Sequence, residues 1–214
     1  MKFQKEMLHL YAVTDRAWTG SRTIEEQIEQ ALKGGVTMVQ LREKNLDGAS
    51  FLQEAIRVQQ LCSRYGVPLI INDNVDVALK CGADGVHVGA EDQPVEEIRK
   101  RVPADFIIGA TCKTVAQAKK AEQAGADYMG VGAVFPSSTK KNAVRITKEQ
   151  LCEICSSVDI PAVAIGGISR ENLMQLAGTG IAGVALVSAI FAAEDIEKEC
   201  IVLHESAVAM LAQN

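Results

Sequence analysis

The sequence predicts a single-domain α/β protein, a (β/α)8 TIM barrel over residues 1–214, and three observations lead there. Short β-branched runs alternate with longer amphipathic segments from end to end, so the repeating unit is a strand followed by a helix. A glycine-containing phrase recurs before the strands, as Gly34-Gly35-Val36-Thr37, Cys81-Gly82-Ala83-Asp84, Ala124-Gly125-Ala126-Asp127 and Gly180-Ile181-Ala182-Gly183. The runs that follow are apolar on both faces, as parallel strands covered by helices must be. Eight such units in 214 residues suit a closed barrel better than an open doubly wound sheet.

Taken in order, the first unit pairs a strand at 9–15 with a helix at 23–33, stopped by Gly34-Gly35. The second pairs 38–43 with 49–65, stopped by Gly66, and the third pairs 68–73 with 75–80, stopped by Gly82. The fourth pairs 85–89 with 94–101, and the fifth pairs 106–111 with 115–123, stopped by Gly125. The sixth pairs 128–135 with 148–156, the seventh 161–168 with 170–177, stopped by Gly180, and the eighth 183–190 with 196–211. The helices carry apolar residues at helical spacing, and glycine ends them because it adopts the left-handed cap conformation at no steric cost.

Composition narrows the function classes. With 48% hydrophobic residues the chain can bury one large core, and a net charge of -5 lacks the clustered positive charge that nucleic acid or a membrane surface requires. No stretch reaches the roughly 18–20 apolar residues of a membrane span, and the first residues lack a leader pattern, so a cytoplasmic location is expected. The six cysteines read as free thiols: Cys152 and Cys155 form a C-x-x-C within a helical pattern, without a second pair at zinc spacing or a preceding redox-type strand. Cys112, beside a strand end, is the exception. Self-association is left open.

In a barrel of this class the chemistry sits at the carboxyl ends of the strands. The polar residues there are Gln40, Arg42 and Lys44 on strand two, Asn72 and Asp73 on three, Glu91 and Asp92 after four, and Thr111 near Lys113 on five. Strand six leads into Pro136-Ser137-Ser138-Thr139-Lys140-Lys141, strand seven into Gly166-Gly167-Ile168-Ser169, and strand eight into Val187-Ser188-Ala189. Asp73 and Asp92 suit Mg²⁺, which needs few carboxylates when waters and substrate diphosphate oxygens complete its shell. The competing reading makes each aspartate the cap of the helix behind it. Gly166-Gly167, with Val187 and Ser188, suits a phosphate held by backbone N–H groups, and the competing reading is a tight turn. The hydroxyls of 137–139 with Lys140 suit a carboxylate or phosphate; a solvated loop is the ordinary alternative. His87, between valines, reads as a core histidine satisfied by a neighbour rather than as a general base. With no nucleophile elbow in the chain, the site reads as electrostatic.

These residues resemble the thiamine-phosphate synthase family over essentially the whole chain. Gln40-Leu41-Arg42-Glu43-Lys44 is similar to its Q-x-R-x-K strand, Ile71-Asn72-Asp73 to its N-D station, and Gly82 through Gly89 with Glu91-Asp92 to its GADGVHxGxxD segment. Gly130-Val131-Gly132 through Phe135-Pro136 and Thr139-Lys140-Lys141 resemble its VGxxFPTxTK loop, and Ala164 through Ile168 its AIGGI turn. The resemblance implies a Mg²⁺-assisted transferase that joins a hydroxymethylpyrimidine diphosphate to a thiazole phosphate, or its carboxylated form, releasing pyrophosphate and thiamine monophosphate. It implies that Gln40, Leu41, Arg42, Glu43, Lys44 and Asn72 hold the pyrimidine diphosphate, Thr111 the pyrimidine and Lys140 its diphosphate, with Lys140, Arg42 and Lys44 drawing off the leaving group. Ser137, Ser138 and Thr139 would meet the thiazole, Gly167, Val187 and Ser188 its phosphate, and Asp73 and Asp92 the metal. The chain departs from the pattern at Thr111-Cys112-Lys113, where a Ser-Thr-His run is usual, at Ser137 for threonine, and at Asn74, where arginine is common. A paralogue that tautomerises the thiazole phosphate is the nearest alternative. It usually lacks the carboxylates and has histidine where this chain has Ala133. A non-catalytic sensor of thiamine precursors is the third reading.

Overall fold

The computed structural model describes residues 2–136 and 145–213. Eight parallel strands close into a barrel in sequence order: β1 (Leu10–Val13), β2 (Met38–Leu41), β3 (Leu69–Asn72), β4 (Gly85–Val88), β5 (Ile107–Cys112), β6 (Tyr128–Gly132), β7 (Ala162–Ile165) and β8 (Gly183–Leu186). Pairing of Tyr11 with Ala185 joins the last strand to the first. Around them run α1 (Ile24–Lys33), α2 (Gly48–Tyr65), α3 (Val75–Cys81), α4 (Val95–Arg99), α5 (Val115–Gln123), α6 (Lys148–Ser156), the short α7 (Ser188–Phe191) and α8 (Ile196–Leu211). No described helix is long and apolar enough to cross a membrane.

Alternation along each strand sorts side chains to two cores. Leu10, Ala12, Val39, Leu41, Leu69, Ile71, Val86 and Val88 face outward into the layer shared with the helices. Tyr11, Val13, Met38, Ile70, Ile107, Tyr128, Val163 and Ala185 face inward, with Leu8 among them and Phe3 and Met7 packed against them. The barrel is therefore a packed core, and only its upper layer is polar.

The structure alters several predicted elements. The helix expected at 170–177 is a single 3₁₀ turn, Leu173–Leu176, because Ala177 is extended and Gly178 is left-handed, at φ 74°. The strand expected at 183–190 ends at Leu186, and Ser188–Phe191 form α7. The strands expected at 128–135 and 161–168 likewise stop at Gly132 and Ile165. Of their continuations, Ala133, Gly166, Gly167 and Ile168 line the barrel mouth.

Candidate active site

The upper barrel interior holds a buried relay of polar side chains from five strands. The Gln40 amide donates to the Tyr11 hydroxyl at 2.8 Å, and the Tyr11 and Tyr128 hydroxyls are 2.8 Å apart. The Tyr128 hydroxyl lies 3.0 Å from His87 Nδ1, and His87 Nε2 lies 3.0 Å from Thr111 Oγ1. Each phenol has one hydrogen to give. Since Tyr11 receives from Gln40, it donates to Tyr128, and Tyr128 donates to Nδ1; the His87 proton then sits on Nε2 and is given to Thr111. The Thr111 hydroxyl hydrogen is thereby free for an acceptor in the cavity above. Burial pushes both phenols above their ordinary range, so they stay protonated donors. Gly109 makes room for the relay: a Cβ there would overlap the Tyr128 ring and stand 2.5 Å from His87 Nδ1.

A cavity opens over this layer, lined by Asp15, Gln40, Arg42, Asn72, His87, Thr111, Lys113, Gly166, Gly167, Val187 and Ser188 among others. Arg42 Nη1 meets Asp15 Oδ2 at 3.0 Å, and the Arg42 amide donates to Thr14 Oγ1. Beside it, Lys44 Nζ lies 2.5 Å and Asn72 Nδ2 2.6 Å from Asp73 Oδ2. Asp73 has φ 62°, the left-handed region that non-glycine residues rarely enter. Asp92 Oδ2 accepts from the Gly89 amide at 2.7 Å.

Neither aspartate caps a helix. Asn74 caps α3, its side chain accepting from Val77 N, and α4 starts from Pro94 without a side-chain cap. Among the described residues, no hydrogen bond engages the second carboxylate oxygen of Asp73 or Asp92. Such hard oxygen donors fit Mg²⁺, with waters and substrate oxygens making up the rest of the shell.

Across the mouth, Gly166 and Gly167 turn with φ 99° and 68°. A Cβ on Gly167 would overlap the Pro136 carbonyl and stand 2.7 Å from that of Phe135, so the pair is also needed for packing. No backbone acceptor among the described residues takes the N–H groups of Gly167, Ile168, Ser188 or Ala189. The turn reading holds because sterics require glycine, and the same bend presents amides that no described backbone acceptor takes.

The structure places Gln40, Arg42, Asn72, Thr111, Gly167, Val187 and Ser188 around one cavity. Two expected substrate-binding side chains are placed elsewhere: Leu41 is fully buried in the outer core, and Glu43 turns to Arg16, because alternate residues of β2 face outward. Lys44, Asp73 and Asp92 do not line the cavity: Lys44 pairs with Asp73, next to the lining residue Asn72, and Asp92 accepts from Gly89 N. Ser137, Ser138, Thr139 and Lys140 lie outside the described residues. His87 is satisfied by its neighbours, yet it faces the cavity. Cys112 is buried with its thiol pushed up to about 11, which leaves it no role at the mouth. Asp15, Tyr11 and Tyr128 were missed by the sequence reading. Asp15 ends the first strand, where the strand-end rule applied to the others would have found it, and Tyr11 stands on the inward alternation of the same strand.

With this geometry in hand, the family model for thiamine monophosphate synthase matches residues 10–190. The chain belongs to that family. It is 50% identical over 188 residues to thiamine-phosphate synthase of Ruminiclostridium cellulolyticum, covering 88% of this chain and 90% of that one. It is 48% identical over 193 residues to thiamine-phosphate synthase 2 of Streptococcus pneumoniae serotype 4, covering 90% and 92%. The solved thiamine phosphate pyrophosphorylase from Pyrococcus furiosus superposes with a TM-score of 0.89 at 38% identity, covering 97% and 98%. The mouth carries Arg42 on the β2 side, and on the β7–β8 side backbone amides that no backbone acceptor among the described residues takes.

Proposed function

We propose that the chain couples 4-amino-2-methyl-5-(diphosphooxymethyl)pyrimidine with 4-methyl-5-(2-phosphoethyl)thiazole to give thiamine monophosphate and pyrophosphate. The observation that supports this reading is that one cavity has cationic and amide side chains on its β2–β3 side and main-chain amides on its β7–β8 side. Arg42 and Asn72 border one side, with Lys44 next to Asn72 through Asp73, and amides near Gly167 and Ser188 that no described backbone acceptor takes border the other. In this reading Thr111, with its hydroxyl hydrogen available, receives a ring nitrogen of the pyrimidine from below.

The C–O bond to the diphosphate breaks with its electron pair going to the leaving group, and the amino-substituted ring delocalises the resulting methylene cation. The thiazole nitrogen then supplies the pair for the new C–N bond. Arg42 and Lys44, joined by Lys140, take up the charge on the departing diphosphate, so the fixed cations act where charge develops. Asp73 and Asp92 would hold Mg²⁺, which when bound supplies further charge neutralisation to the diphosphate oxygens. The phosphate anchor at Gly167, Val187 and Ser188 orients the nucleophile, and Ser137, Ser138 and Thr139 meet the thiazole. No general base is required, consistent with His87 being committed at both ring nitrogens.

The test supplies both substrates and Mg²⁺ to the purified protein and measures thiamine monophosphate and pyrophosphate. Equal amounts of the two products are expected, with near-background turnover for Asp92→Ala. A tautomerised thiazole without coupled product would replace this reading by the tautomerase.

A further inference from the structure

Beneath the β2 exit, outside the cavity, lies a polar cluster that the coupling chemistry does not use. The Glu43 side chain is only 2% exposed and that of Glu54, on α2, 8%, and both reach a single cation. Arg16 Nε meets Glu43 Oε2 at 2.9 Å, and Arg16 Nη2 meets Glu54 Oε2 at 2.5 Å. The other oxygen of each, Glu43 Oε1 and Glu54 Oε1, is buried with no hydrogen-bond partner among the described residues. Two buried carboxylates against one guanidinium leave one uncompensated charge and two unsatisfied acceptors, which is costly in a site shielded from water. Both defects vanish if one carboxyl is protonated and donates to the other, since a neutral acid can donate where a carboxylate can only accept.

We infer that Glu43 and Glu54 share one proton as an acid–carboxylate pair clamped by Arg16, and that this pair positions the β2 exit for binding the diphosphate. Arg42 and Lys44 flank Glu43 in sequence; Arg42 lines the cavity and Lys44 pairs with Asp73, while Glu43 between them faces outward to Arg16. The clamp is doubled: Asp15 pairs with Arg42 and also accepts from Ala17 N, capping the turn that carries Arg16. The exits of β1 and β2 are thus laced by adjacent residues in both directions, Asp15 to Arg42 and Arg16 to Glu43. Burial, and then the neighbouring Glu54, push the Glu43 carboxyl up despite Arg16. Glu43 is on this account a positioning residue, and its role rests on the proposed coupling only in naming diphosphate as the ligand.

The test uses the full chain and two readouts that need no turnover. Infrared difference spectra of wild type against Glu54→Gln at neutral pH report the carbonyl band of a protonated carboxylic acid, which is expected in wild type and lost in the variant. Calorimetric binding of inorganic pyrophosphate with Mg²⁺ reports the positioning. Glu43→Ala should weaken it on the order of tenfold, because cations held loosely lose preorganisation. Glu43→Gln should restore binding to within about twofold, because its amide donates to Glu54 as the acid does. A wild-type spectrum lacking the acid band overturns the shared proton, and equal pyrophosphate affinity for wild type and Glu43→Ala overturns the positioning. If Glu43→Ala does not fold, Glu43→Gln decides the second point, since weakening by tenfold in that variant refutes it. Loss of coupling activity with both readouts as expected would instead count against the proposed function alone.

Discussion

Tyr128→Phe tests the relay beneath the cavity. Tyr128 is 0% and Tyr11 1% exposed, so water cannot replace what the hydroxyl provides. The substitution keeps the edge-on ring contact with Tyr11, centroids 6.0 Å apart, and removes two hydrogen bonds, at 2.8 Å to Tyr11 and 3.0 Å to His87. Tyr11 then has no acceptor for its hydrogen and His87 Nδ1 no donor, although Tyr11 keeps Gln40 and His87 keeps Thr111. At about 1–3 kcal/mol for each stranded buried group, and with both retaining one partner, the expected loss is about 2–3 kcal/mol. Tyr11→Phe should cost a similar amount, because it strands the Gln40 amide.

The double variant separates a relay from two independent contacts. The Tyr11–Tyr128 bond is removed in both singles but only once in the double, so the double should lose less than the sum by about 1 kcal/mol. Urea unfolding of the four proteins measures this, with the shift taken at the midpoint and the slope checked for constancy. The directional assignment has its own signature. In wild type the ¹⁵N shifts of the His87 ring should show the proton on Nε2, and Tyr128→Phe should admit the other tautomer. Additive losses, or an Nδ1-protonated ring in wild type, would refute the relay as drawn.

Other outcomes follow from the same structure. Glu43 holds its proton above the unfolded value of 4.5, so the stability tied to that proton is present at low pH and declines as pH rises through the folded value. Glu43→Gln should flatten that decline, and thermal midpoints across the acid range will show whether the two curves diverge above 4.5. Thiol labelling under native conditions should reach Cys152 first, since Cys62 and Cys200 are buried and burial pushes Cys62, Cys155 and Cys200 up to about 12; mass spectrometry finding Cys200 modified as fast would contradict this packing. Asn74→Ala removes the α3 cap at 2.9 Å and should cost about 1 kcal/mol in denaturant, and a neutral result would mean that another group satisfies Val77 N.

The barrel could be read from the sequence because its period is local. Each strand and helix announces itself within a dozen residues, and the stop glycines fall where α2 and α3 end at Gly66 and Gly82. Boundaries were harder at the carboxyl ends. Val187, Ala189 and Ile190 have the apolar composition of a strand, but the chain has turned at Val187 into α7, a turn made by backbone dihedrals that composition does not encode. The polar relay was less accessible still. Tyr11 and Tyr128 are 117 positions apart, and sheet register alone brings them together. Only inward alternation marked them, and in an apolar barrel strand a tyrosine reads first as filling.

The two aspartates show where sequence and structure divide an argument between them. An aspartate shortly before a helix is chemically able to be its cap, and nothing in the residue type decides whether its oxygens turn back to the helix or outward to a ligand. In the structure the capping duty falls to Asn74, one residue beyond Asp73, and α4 makes no side-chain demand on Asp92. Asn74 stands where the family commonly has arginine, so the substitution exchanges a charge for a cap while leaving Asp73 to Lys44 and Asn72. A cap oxygen is fixed by helix amides and aimed along the helix axis. A carboxylate held instead by a half-exposed lysine and one side-chain amide can keep a face toward a cation. The left-handed backbone at Asp73, φ 62°, is the local cost of turning that carboxylate away from the helix it precedes.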